Sequence, residues 1–285
     1  MQSQPHADAR NLRLALLDRF LRGEARVPQM PENAEAIRRL LEDSRTQLEQ
    51  LSRVINGDPA LAAYLMQFAE NPLFKTGRPC QHLRDVLGRL GIRNLNNLVL
   101  AFSLRNLFTS TEPTLQRVFR NRWKNAQLRA AYSAALCGRC PGIAVEDALL
   151  AGLLQDIGSL PLLDEIGRWP DAPRDEDELH ALCDAISGPI GVILLTSWNQ
   201  VPAIVDVTRH RDDWQREHAG KADLADLVQV ASLLQQPRDE APLAQLPALR
   251  QLFPYADHAA LAQQLGDEVP GEAAFWLKLL GGKAN

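Results

Sequence analysis

Asp156 is the residue in this chain best placed to do chemistry. It lies in the middle of the run from Ala148 to Leu163, ALLAGLLQDIGSLPLL, directly after Gln155 and two residues before Gly158. A carboxylate at the end of an apolar, small-residue helix has two readings. It holds a cation, or it is a buried group satisfied by neighbouring donors, because a lone buried charge is costly. The second is favoured here, with nearby amides such as Gln155 as the expected donors. His210 stands between Arg209 and Arg211. Its imidazole suits a metal or a pH-sensitive role, but a histidine at a helix end is more often structural or solvated, and position alone carries no pKa information.

Other residues carry weaker signals. Cys137-Gly-Arg-Cys140 has the spacing of a thiol redox pair or half a zinc site. It follows an alanine-rich helix, so the helix dipole acts against thiolate formation, and Cys80 and Cys183 supply no second close pair. Arg117, Arg120 and Lys124 fall at i, i+3 and i+7 and form one basic stripe, with Arg122 and Arg129 elsewhere around the same helix. Such a stripe suits a phosphate-bearing ligand, although a solvated helix face is the commoner meaning. No glycine-rich phosphate loop accompanies it. Trp214 follows the charged run Arg209 to Asp213 and is a candidate partner contact. Gly-x-Ser-x-Gly is missing, so no serine nucleophile is indicated.

The elements that must position these residues repeat with a period near 3.6. Stripes run through Leu12, Leu16 and Phe20; Ile37, Leu40 and Leu41; Leu61, Leu65 and Phe68; Leu83, Val86, Leu87 and Leu90; Leu95, Leu98, Val99 and Phe102; and Leu115, Val118, Phe119 and Trp123. Glu146 to Leu154 continues the series, followed by Leu179, Leu182 and Ile186, and by Ile190, Ile193, Leu194 and Trp198. Ser187-Gly188-Pro189 reads as a fresh helix start between the last two. Pro202 opens a short helix to Thr208, and Leu224 to Leu234 is another. Two tail helices are expected near His258 to Leu265 and Glu272 to Leu280. Asp58-Pro59 is a helix start, because aspartate caps free amides and proline is pre-set for the first turn. Asn71-Pro72 reads as the stop of that helix. With no period-2 strand, the prediction is all-α.

At 285 residues with 46% apolar and 23% charged residues, the chain has material for substantial cores. A net charge of -4 gives no general attraction to nucleic acid. No apolar run reaches the roughly 20 residues of a membrane span, and the amino terminus lacks a signal-peptide pattern, so a cytoplasmic location is expected.

Several segments together resemble the HD-related output domain (HDOD). These are Val27-Pro-Gln-Met-Pro31, Asp58-Pro59-Ala-Leu61 with Asn71-Pro72, and the Leu90-Gly91 break. Phe119 to Trp123, Ala151 to Gly158, Gly191 with Trp198, and Val205 to His210 follow in the same order. The resemblance covers roughly residues 27 to 236. It implies a two-part helical architecture: an N-terminal helix over 1–26, a helical bundle over 27–110, a degenerate HD-like domain over 111–236, and a helical tail over 237–285.

The same resemblance places the metal-ligand positions of HD phosphohydrolases at Asn125, Gln155, Asp156, Ser187 and Ser232, with a late histidine at His210. Such sites need several imidazoles and carboxylates around a divalent cation. Amides and hydroxyls are poor substitutes. The expectation is therefore no metal, no other cofactor and no catalysis, with the old pocket turned into a hydrogen-bond network in which Asn125 or Gln155 serves Asp156. The implied role is a stand-alone bacterial signalling regulator that acts on a protein partner. The alternatives are a sensor of a nucleotide or other phosphate-bearing ligand, through Arg117, Arg120, Lys124 or Trp214, and a residual phosphohydrolase. The C-terminal apolar helix is expected to dock on the core, with a homodimer surface as its other use.

Overall fold

A computed structural model describes residues 4–43, 48–70, 80, 82–107, 109–169, 172–239 and 241–282. Among these every regular element is helical. In chain order they are α1 (Gln4–Leu21), α2 (Glu32–Glu42), α3 (Leu48–Asn56), α4 (Pro59–Ala69), α5 (Leu83–Leu90), α6 (Ile92–Ser103) and α7 (Pro113–Cys137). Then come α8 (Val145–Leu154), α9 (Ser159–Gly167), α10 (Glu176–Ser197), α11 (Pro202–Arg209), α12 (Leu224–Gln235), α13 (Pro247–Leu252) and α14 (His258–Leu279). The all-α expectation holds. The stop predicted at Asn71-Pro72 lies outside the described residues.

The helix α7 is the axle of the molecule. Glu112 caps it by accepting from the Thr114 and Leu115 amides, and Pro113 occupies its first turn. It packs against α8, α9, α10, α12 and α14. Its alanines explain the closest of these contacts: a Cβ on Gly152 of α8 would lie 2.6 Å from the Ala130 Cα. One buried apolar cluster runs from Leu16 in α1 to Leu280 just past α14. The stiff Val27-to-Pro31 connector is fixed by Trp198, whose indole N–H donates to the Pro28 carbonyl at 2.9 Å. Arg19 of α1 pairs with buried Glu165 of α9 at 2.9 Å.

Three helix expectations need correction. The helix α3 is absent from the predicted series, although Leu51 and Ile55 are buried at its i, i+4 spacing. The predicted break at Ser187-Gly188-Pro189 does not occur, and α10 runs unbroken through Pro189. Proline removes one amide donor and crowds the preceding turn. The carbonyl that loses its helical donor is that of Ala185, and the neighbouring Asp184 carbonyl accepts from outside the helix, from the Arg211 guanidinium at 3.0 Å. The two tail helices are likewise one, with Pro270 inside α14. Arg139 reaches across from the end of α7 to hold Glu268 at 2.8 Å and Glu272 at 2.7 Å, one on each side of that proline. The C-terminal helix docks on the core as expected: Trp276 and Leu277 are buried, and Trp276 meets Phe68 of α4 with ring centroids 5.9 Å apart. Its neighbour Phe275 stays exposed.

Among the described residues one helix, α10, has the length and hydropathy of a membrane span, and 56% of that window is buried within the bundle.

The start of α12 is held by a capping box, Asp223 with Asp226, into which Arg216 and His218 also reach. His218 Nε2 lies 2.9 Å from Asp226 Oδ2. That hydrogen bond and the aspartate charge outweigh burial and raise the imidazole pKa above 6.5. Stability from the contact is full below the unfolded value and is lost as pH rises through the raised folded value. His218→Ala should therefore cost a few tenths to about 1 kcal/mol in mildly acid solution and much less in alkali, measured by urea unfolding across pH.

Candidate functional site

Four segments converge beside Asp156. It follows α8, in the turn before α9, where its carbonyl accepts from the Ser159 hydroxyl at 2.8 Å. Gly158 lets that turn lie directly on α10: a Cβ there would fall 2.0 Å from the Ser187 carbonyl oxygen and 2.4 Å from the Gly191 nitrogen. The Thr208 hydroxyl of α11 donates to the Leu154 carbonyl at 3.2 Å, tying α11 to the same place. The result is a pocket of about 270 Å³ lined by Arg122, Asn125 and Arg129 of α7, by Gln155 and Asp156, and by His180 and Asp184 of α10. Arg211, Asp212 and Trp214 follow α11, and Ser232, Gln235, Gln236 and Arg238 close the far side.

The structure thus gathers Asn125, Gln155, Asp156, Ser232 and Trp214 around one cavity, with Ser187 buried beneath it. His210 is not part of the lining. It caps α11, its ring lies 3.6 Å from Asp213, and its carbonyl accepts from Gln229 at 2.8 Å. The stripe of Arg117, Arg120 and Lys124 also lies off the pocket. Arg117 is paired with Glu176, Arg120 is exposed, and Lys124 borders a separate groove between α7 and α14.

The expected donors to Asp156 are wrong. No amide holds it; two guanidiniums do. Arg129 Nη2 lies 2.6 Å from Oδ2, and Arg211 Nη1 reaches Oδ1 and the Ser187 hydroxyl. Gln155 turns to Ser232 instead, with 3.1 Å between its Oε1 and the serine hydroxyl, and Asn125 is exposed. Burial opposes the Asp156 charge, but Arg129, Arg211 and Arg122 outweigh it and hold the carboxyl well below the usual carboxylate range. Arg122 itself pairs with Asp184 and donates to the His180 carbonyl, each at 2.7 Å. Burial and the Arg122 charge lower the His180 pKa, leaving that ring neutral near pH 7.

These residues do not fit a divalent cation. Both Asp156 oxygens face fixed positive charges. Apart from arginines and Trp214, the remaining lining offers amides, one hydroxyl, two exposed aspartates and a single imidazole, His180, in place of a converging set of three or four imidazole, thiolate or carboxylate ligands. A second group, His218, Asp223 and Asp226, has ligand atoms within 4.8 Å of one another. There too an arginine is already in place, since Arg216 bridges both carboxylates. The cysteine pair is structural: both thiols are buried and unpaired, and burial pushes Cys137 up to about 11 and Cys140 up to about 12.

Sequence reading did not single out the guanidinium clamp. The available signal was Arg129 itself, a cation among Ala126, Ala130, Ala131 and Ala134 on the most densely packed stretch of α7.

A helical bundle with this pocket between α7, the α8–α9 turn and α10 is of the HD-like class. The model of the HDOD domain matches residues 27–214, and the chain belongs to that family. Its fold is shared with solved structures. A candidate metal-dependent phosphohydrolase from Shewanella amazonensis SB2B superposes with a TM-score of 0.80 at 20% identity, covering 96% of this chain and 99% of that one. An HDOD domain protein from Geobacter sulfurreducens gives 0.63 at 18% identity, with 94% and 98% covered. A protein from Marinobacter aquaeolei VT8, described as a candidate signal transduction protein, gives 0.58 at 18% identity, with 98% and 67% covered. A curated relative from Treponema pallidum (strain Nichols) is 22% identical over 236 residues. These are 78% of this chain but 44% of that protein, so the chain spans less than half its length.

Proposed function

We propose that this protein is a non-hydrolytic regulator of bacterial signal transduction that works in the cytoplasm by contacting a protein partner. One observation carries the reading: the Asp156 carboxylate is fully engaged by Arg129 and Arg211. A guanidinium is a cation that cannot bind or activate water as a metal does, and an HD-type hydrolase depends on metal-bound hydroxide. The description of the Marinobacter relative as a candidate signal transduction protein supports the regulatory context.

The test is metal analysis of the purified protein together with assays on phosphomonoesters and phosphodiesters, each with manganese, iron or magnesium added. The expected outcome is no bound metal and no metal-stimulated turnover above that of a mock preparation. Reproducible hydrolysis that chelators abolish would refute the proposal. A partner should co-purify from native cells and be released by substitutions on this chain's surface.

A second reading, a sensor of a phosphate-bearing ligand, is favoured by the surplus of buried positive charge in the same pocket.

A further inference from the structure

Three guanidiniums close to the pocket, those of Arg122, Arg129 and Arg211, are 8%, 9% and 8% exposed. The acid buried most nearly to the same degree is Asp156, at 16%. The other two lining aspartates, Asp184 and Asp212, are 61% and 55% exposed, where water screens them. The interior of the site therefore carries an excess of buried positive charge over buried negative charge.

Hydrogen bonds show where that excess is unanswered. Arg211 is fully used, on Asp156, Ser187, Asp212 and the Asp184 carbonyl. In contrast, Arg129 Nη1 and Arg122 Nε are buried donors with no partner among the described residues. A buried donor without an acceptor is costly, and most such groups in proteins are satisfied. Two orphan donors from residues two turns apart on one face of α7, both on side chains lining one cavity, point to an acceptor with several oxygens and a double negative charge.

We propose that this pocket binds the dianionic phosphate of a small phosphomonoester or of free phosphate, with Arg129 and Arg122 as its ligands. The inference rests on the non-hydrolytic reading of the pocket, since the ester must stay intact. Paired N–H donors of guanidinium match phosphate oxygens in geometry and charge. A cavity of about 270 Å³ lies just below the usual range for whole small-molecule sites, so it takes the phosphate and the group next to it. Trp214, whose ring lies 5.5 Å from the Arg238 guanidinium, is at the edge where an attached base or sugar would emerge.

Calorimetric titration with inorganic phosphate, a nucleoside 5′-monophosphate and a cyclic dinucleotide tests this. The first two should bind saturably. The cyclic dinucleotide, whose phosphates are monoanionic diesters, should bind far more weakly. Tighter binding of the monophosphate than of phosphate would identify an ester as the ligand, and equal affinity would identify free phosphate. Arg122→Gln, which leaves the Asp156 clamp in place, should weaken phosphate binding by about tenfold or more, as should Arg129→Gln. Arg120→Gln, on the exposed face, should change nothing.

Asp156→Asn supplies a readout that a purely structural role would not give. It removes the competing anion, so phosphate should bind this variant more tightly than wild type and raise its melting temperature by more. Phosphorus NMR of the bound ester separates the two proposals. Cleavage would sink the non-hydrolytic reading while leaving a phosphate site. Absence of saturable binding in the millimolar range, or equal weakening by Arg120→Gln and Arg122→Gln, would overturn the phosphate site alone.

Discussion

Asp156→Ala is expected to lower the free energy of unfolding by about 3–5 kcal/mol, the range for breaking a buried ion pair from one side. The carboxylate is held by Arg129 at 2.6 Å and by Arg211, and both arginines are nine-tenths buried. Without it two guanidiniums remain in the interior with their main counter-charge gone. The cost should appear in urea unfolding as a lower midpoint at unchanged slope. Adding Arg129→Met and Arg211→Met should recover part of it, because apolar side chains of similar volume often replace a buried ionic group without loss. A loss below about 1 kcal/mol, the scale of exposed ion pairs, would show that the clamp does not hold the fold together. Acid adds a second check. The depressed pKa of Asp156 means that its stabilisation is present above the unfolded value and is lost as pH falls through the folded one. Wild type should therefore hold this contribution in full well above pH 4 and lose it progressively as pH falls below about 4, and the alanine variant should lack that part of the acid limb.

The second large effect belongs to Gly158. A methyl group there would meet the Ser187 carbonyl oxygen at 2.0 Å and the Gly191 nitrogen at 2.4 Å, both on the backbone of α10. A flexible side chain can rotate away from an intruding carbon; a helix backbone can only be pushed. Overpacking typically costs about 1–3 kcal/mol, and Gly158→Ala should lie at the top of that range or above it. The displaced turn carries Asp156, so near-ultraviolet circular dichroism and phosphate affinity should both suffer. Gly266→Ala in α14 is the control, because nothing lies within 4 Å of its added carbon. That change should be neutral or slightly stabilising, since alanine is the better helix former. Equal stability of the two variants would mean that the α9–α10 approach is looser than described.

Much of this architecture was legible in residue order because the bundle is built from amphipathic stripes. Burial of Leu61, Leu65 and Phe68, or of Leu95, Leu98 and Val99, follows directly from their spacing. Prolines misled in the other direction. Pro189 and Pro270 carry the local signature of a helix boundary, yet α10 and α14 run through them, with remote arginines bound nearby: Arg211 on the Asp184 carbonyl, Arg139 on Glu268 and Glu272. The positions around the pocket were legible through family resemblance, and Asn125, Gln155, Asp156 and Ser232 do meet there. What holds Asp156 was not. Arg129 and Arg211 come from α7 and from beyond α11, and in a linear reading they merge with the many arginines that face solvent. Only the assembled fold distinguishes Arg120, which points outward, from Arg122 two residues later, which does not.

The stretch matched by the HDOD family ends at residue 214, yet Ser232, Gln235, Gln236 and Arg238 form one wall of the pocket. Beyond them, Leu280, just past α14, offers its carbonyl to a buried Gln127 donor on α7 at 2.7 Å, and at the other end Arg19 neutralises Glu165. Both flanks are therefore structural members of the matched region rather than appendages to it. Dissecting this protein at the limits of sequence similarity would open the cavity to solvent and strip apolar cover from α7. The smallest fragment able to report on the pocket runs from α1 through α14.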